Sequence, residues 1–147
     1  MPAVIINADD FGLSESVNMA IATAFSEGLI SNTTMLTNGR AFDEAVKIAN
    51  ENGFEKKVGI HFNLTEGEPL TDNIKKCSVF CENGIYHGRI NRTKPLGLAE
   101  KSAVYEELEA QAKKVRAAGF LICKDMARVM IHYLKYVKYC LKTSEFI

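Results

Sequence analysis

Three times within residues 1–120 a stretch with helical periodicity stops at a glycine (Gly28, Gly53, Gly119), and an apolar run follows within a few residues. Glycine closes a helix because it adopts the left-handed conformation there without a steric penalty. Helix, stop and apolar run in alternation is the rhythm of parallel strands joined by crossover helices, so the fold class is α/β.

The individual elements follow from local pattern. Val4 to Ala8 reads as a first strand, short and β-branched, ended by Asp9 and Asp10. Ser14 caps a helix whose face is Val17, Ala20, Ile21, Ala24 and Phe25. Leu29 to Leu36 is a second strand, and the next helix packs Phe42, Ala45, Val46 and Ala49. Val58 to Leu64 is the third strand. Thr65 to Leu98 carries Pro69, Pro95 and four glycines and reads as a long irregular connection. A helix from Ala99 to Ala118, with Val104, Leu108, Ala112 and Val115 along one side, leads to a fourth strand opening at Phe120 to Cys123.

With 147 residues the chain can bury a substantial core, but a closed barrel of eight strand–helix units needs roughly 250 residues. If the pattern belongs to such a TIM-barrel-like (β/α) barrel, this chain holds only part of it. The formal net charge is zero, which argues against nucleic acid as a partner. That neutrality hides a split. Residues 1–120 carry 13 basic and 16 acidic side chains, whereas 121–147 carry 5 basic and 2 acidic ones, three tyrosines and neither Gly nor Pro. We therefore divide the chain into 1–120, the α/β unit, and 121–147, a divergent basic, Tyr-rich tail. Asp125 to Lys142 can be drawn as a helix with a basic stripe of Arg128, His132, Lys135, Tyr139 and Lys142.

Near the start the longest apolar stretch, Ala3 to Ile6, is too short for an export signal or a membrane span, so the expected location is the cytoplasm, with no membrane partner. Cys77, Cys81, Cys123 and Cys140 lack zinc-site spacing and are expected to be reduced thiols.

In parallel α/β folds chemistry gathers at the carboxyl ends of strands. Asp9 and Asp10 close the first strand there, and His61 lies near the end of the third. Adjacent carboxylates repel, and a divalent cation would compensate them. Two carboxylates and an imidazole suit Mg²⁺, Mn²⁺ or Zn²⁺, with one carboxylate left to act as a base on water. Taken singly, the acidic pair also reads as a turn before the Ser14 cap, and His61 as a satisfied core histidine.

The run INADDFGLSESVNMAI, the small-residue-rich SNTTMLTNG and the later GIHFNLTEG followed by PL resemble the YdjC or ChbG family of carbohydrate deacetylases, in order and spacing over about residues 3 to 120. The resemblance implies a distorted (β/α) barrel that removes N-acetyl groups from amino sugars such as acetylated chitooligosaccharides, using a divalent metal, usually Mg²⁺. It implies Asp9 as general base, Asp10 and His61 as metal ligands, and a small-molecule carbohydrate as partner. Metal-activated water would attack the amide carbonyl, and the metal would stabilise the developing oxyanion.

The family continues after its equivalent of Gly119 into a His-rich motif that supplies a third ligand, which FLICKDMARVMIHYLKYVKYC does not match. His132 falls in that region outside any such motif. His87 is expected to be exposed or to line a substrate pocket, with Phe80, Tyr86 and Arg89 as candidate sugar contacts, although nothing in spacing fixes a substrate-binding set. Loss of resemblance, charge reversal and an early end coincide near residue 121, which points to a reading-frame shift that the DNA around codon 120 decides. Two alternatives follow. One is an inactive family member whose open sheet edges favour self-association. The other is a receiver-like phosphoacceptor domain, which would need an Asp where the third strand has His61 and Asn63.

Overall fold

The computed structural model describes residues 4–88 and 95–120, and the backbone of 128–129. Four strands form one parallel sheet: β1 (Asn7–Phe11), β2 (Asn32–Leu36), β3 (Val58–Phe62) and β6 (Arg128–Val129), in the order β1-β2-β3-β6. Helices α1 (Glu15–Ser26) and α2 (Phe42–Glu51) cross back between the first three strands and pack on each other. This order keeps β1, β2 and β3 side by side in chain sequence. It excludes the receiver alternative, whose doubly wound sheet places the first strand between the second and third.

β1 begins three residues later than the apolar run suggests. Val4, Ile5 and Ile6 are exposed, because parallel pairing starts only at Asn7 opposite Asn32. In α1 the buried positions are Asn18 and Ile21, and Ala20 faces solvent. Asn18 is buried for its hydrogen bonds: it accepts from the Gly12 N–H and donates to the Ala41 carbonyl and the Glu44 carboxylate, tying the loop after β1 to that after β2. The two loops touch closely. A Cβ at Gly39 would lie 2.2 Å from the Gly12 oxygen, so a side chain there would push the strand ends apart.

The core between these layers is Phe11, Met35, Ile60 and Val58 with Ala45 and Ala49, closed by Phe54, which stacks on Phe25 at 4.1 Å. The helix α4 (Leu98–Ala117) packs against β3 through the expected stripe of Val104, Leu108, Ala112 and Val115.

Residues 65–88 are more ordered than their composition suggests. They contain a short helix α3 (Asp72–Lys75) and a hairpin of β4 (Cys81–Glu82) and β5 (Ile85–Tyr86), which turns on Asn83 and Gly84, both at positive φ. Phe80 and Tyr86 are core residues here, 1% and 5% exposed, so they are not sugar contacts. Arg89 lies outside the described residues, as do Cys123, Cys140, His132 and the proposed strand past Phe120. Of the helix drawn over 125–142, residues 128–129 are instead strand, hydrogen-bonded beside His61 and Phe62, and the rest lies outside the described residues.

Burial pushes the Cys81 thiol up to about 11, and the neighbouring Cys77 adds to the shift. The folded chain keeps that proton between pH 9 and 11 while the unfolded chain releases it, so stability present below pH 9 is lost as pH rises through this window. Tyr86, raised chiefly by burial, extends the loss to higher pH. Unfolding free energies from urea titrations at about pH 8.5 and about pH 10.5 should differ by on the order of 1 kcal/mol, and Cys81→Ala should narrow the gap.

Candidate functional site

A bulge shapes the end of β1. Ala8 pairs with Thr33 and Phe11 with Met35, so Asp9 and Asp10 together face the single residue Thr34. Asp10 sits in the left-handed region at φ +69, which a non-glycine residue enters at a cost of roughly 1 kcal/mol. That backbone turn re-aims its side chain relative to the regular alternation of a strand.

The two carboxylates have different surroundings. Asp9 Oδ1 accepts from the Thr34 hydroxyl at 2.6 Å and the Asn7 amide at 2.7 Å, which fixes its orientation. Asp10 is half-exposed, its Oδ1 3.3 Å from Nδ1 of His61, and its backbone N–H donates to the same nitrogen at 3.3 Å. His61 is fully buried.

The pairing reaches across an intervening strand. β1 and β3 flank β2, so their axes stand roughly 10 Å apart. His61 and Asp10 meet because β2 ends at Leu36, the register partner of His61, and the bulge turns Asp10 toward the gap. The structure thus brings Asp10 and His61 together with Asp9 as the next residue. His87 is held elsewhere, its Nε2 3.2 Å from the Ser78 carbonyl and its N–H on the Phe80 carbonyl.

Asp10 Oδ1 and His61 Nδ1 are the pair of atoms that could serve a metal as donors. Nδ1 faces an N–H, which asks for its lone pair, and a carboxylate oxygen, which asks for a proton or a cation. Two ligand atoms about 2.1 Å from one ion are separated by roughly 3.0–3.4 Å at right-angled or tetrahedral geometry, which the observed 3.3 Å matches. Among the described residues no group of three or more His, Cys, Asp and Glu converges in this way. Thr34 and Asn7, which hold Asp9, carry no motif signal, and Asn63, two residues beyond His61, orders the neighbouring loops through Asn38 and Glu66. Alternation from His61 to Asn63 along GIHFN is the signal that could have found Asn63.

Fold and site together define a parallel α/β protein with a carboxylate–imidazole pair at its strand ends. A model of the YdjC-like protein family matches residues 3–123, and the chain belongs to that family. It is similar to carbohydrate deacetylases of Listeria welshimeri (36% identity, covering 81% of this chain and 48% of that one) and Vibrio campbellii (35% identity, 79% and 44%). A solved structure from Enterococcus faecalis, provisionally assigned as a cellobiose-phosphate cleavage protein, superposes with a TM-score of 0.73 at 25% identity, covering 95% of this chain and 55% of that one. The chain spans about half the length of these relatives. Among the described residues no helix is long and apolar enough to cross a membrane.

Proposed function

We propose that this chain carries the base and two metal ligands of a metal-dependent carbohydrate deacetylase, which hydrolyses the N-acetyl group of an amino sugar such as an acetylated chitooligosaccharide. The observation that carries this reading is the 3.3 Å approach of Asp10 Oδ1 to His61 Nδ1 beside the oriented carboxylate of Asp9. In the same reading the parallel sheet is one arc of a (β/α) barrel, with residues 1–120 as the catalytic part and 121–147 as a tail.

Asp10 and His61 would hold the ion, and Mg²⁺ suits a site with few protein ligands because it retains several waters. A divalent cation bound there supplies positive charge that polarises the amide carbonyl and acidifies water. Asp9 is the proton acceptor. Its Oδ1 is occupied by Thr34 and Asn7, which leaves Oδ2 to take a proton from the attacking water. Oxygen then bonds to the carbonyl carbon, the carbon–nitrogen bond breaks, and the nitrogen leaves as the amine with the proton that Asp9 held. The products are acetate and the free amino sugar.

Acetate release from N,N′-diacetylchitobiose tests this reading directly. Release should require added Mg²⁺, stop with EDTA and resume when Mg²⁺ is restored in excess. No release with Mg²⁺, or release indifferent to EDTA, overturns it.

A further inference from the structure

A cavity of about 540 Å³ opens beyond the carboxyl ends of β1, β2 and β3. Leu13 and Leu36 are its large apolar lining, and Asn38, Arg40, Glu66 and Glu68 are among its polar lining. None of its lining is Asp9, Asp10 or His61, but two lining residues lie next to Asp10 and His61. The Leu13 N–H donates to the Asp10 carbonyl at 3.0 Å, and Leu36 is in register with His61.

Its walls are fixed by polar contacts rather than by loose loop packing. The Asn63 amide donates to Asn38 Oδ1 at 2.9 Å and to the Glu66 carbonyl at 2.7 Å, and its oxygen accepts from the N–H groups of Thr65 and Glu66. Asn38 in turn donates to the Glu66 and Glu68 carbonyls. Behind them the buried Gln111 side chain bonds both main-chain groups of Asn63, at 3.0 and 2.7 Å. A cavity walled in this way is formed before any ligand arrives, so little ordering opposes binding.

The charge around it selects among ligands. Lys75 neutralises Glu68 at 2.8 Å, which leaves one carboxylate, Glu66, and one guanidinium, Arg40, so the lining is close to neutral. Apolar lining accepts the C–H face of a pyranose, while carboxylate, guanidinium and amide groups meet hydroxyls. We infer that this cavity is a subsite for an uncharged sugar ring next to the ring whose amide is cleaved. The inference rests on the deacetylase reading and deepens it.

Amide resonances of the ¹⁵N-labelled chain, followed as N,N′-diacetylchitobiose is added in EDTA, test binding without turnover. Saturable shifts are expected at Leu13, Gly39, Arg40 and Gly67. Glu68→Trp, which adds bulk to the lining, should weaken binding at least tenfold, and Arg40→Ala, at an exposed side chain, about fivefold. If Glu68→Trp loses its native spectrum, Arg40→Ala decides alone. No saturable shift at those amides, or binding undiminished in the folded variants, overturns the subsite. Acetate release judges the reaction separately. Release without shifts at the cavity removes the subsite and keeps the enzyme, whereas cavity binding without release overturns the deacetylase reading and leaves a sugar-binding cavity with no cleaved ring beside it.

Discussion

Asp9→Asn should lower acetate release from N,N′-diacetylchitobiose by about 10²–10⁴-fold, the usual effect of removing a general base, with little change in folding. The substitution preserves shape. An Asn at this position still offers one oxygen to the Thr34 hydroxyl and the Asn7 amide, which hold Asp9 Oδ1 at 2.6 and 2.7 Å. What it lacks is a basic second oxygen. Asp10→Asn should behave differently, because the lost group is then a ligand. Activity should fall through metal affinity, by roughly 10–100-fold, and recover in part as Mg²⁺ is raised. Saturating Mg²⁺ should not rescue Asp9→Asn. Equal acetate release from Asp9→Asn and the parent chain would remove Asp9 as the base, and equal Mg²⁺ dependence of the two variants would remove the division of labour between the carboxylates.

The arrangement on which this proposed division rests is only half legible in the sequence. Periodicity placed β2, β3, α2 and α4 to within a few residues, because their apolar faces repeat and their caps are glycines. It placed Asp9, Asp10 and His61 at the right ends of the right strands. It did not foresee the bulge, since a one-residue slip in pairing leaves no mark in ADDF, yet the bulge is what brings Asp10 to His61 over the end of β2. The apolar run Val4 to Ile6 misled in the opposite sense, because hydrophobicity alone does not say where a neighbouring strand begins to pair. In residues 65–88 the hairpin signal Asn83-Gly84 was present but lost among other loop formers, so Phe80 and Tyr86 passed for surface aromatics. Glu107 and Gln111 were invisible for a deeper reason. Polar residues on a helix are assigned to solvent by default, and only the folded connection supplies the donors and acceptors that let both be buried.

Glu107 is accordingly where the largest loss of stability should be found. Its carboxylate is wholly buried and accepts four hydrogen bonds. Oε1 takes the Leu70 N–H at 3.0 Å and the Gln111 amide at 2.8 Å, and Oε2 takes the Thr71 N–H and hydroxyl, both at 2.8 Å. Glu107→Leu leaves these donors without an acceptor in a space closed to water, at about 1–3 kcal/mol each when fully stranded, although relaxation keeps such losses from adding. We expect a total near 4 kcal/mol, a large part of the 5–15 kcal/mol that holds a typical domain folded, read as a drop in urea midpoint. Cleavage by protease within residues 65–88 should accelerate with it. Glu107→Gln keeps one oxygen and should lose about half as much. Tyr86 separates a specific release of this clamp from general loosening. Its phenol is raised first by burial and next by the Glu107 carboxylate, so in Glu107→Gln it should ionise at lower pH than in the parent while staying above an exposed tyrosine. A parent-like urea midpoint for Glu107→Leu would show that the connection after β3 is held by its apolar contacts, and that the wall behind Asn63 does not depend on this carboxylate.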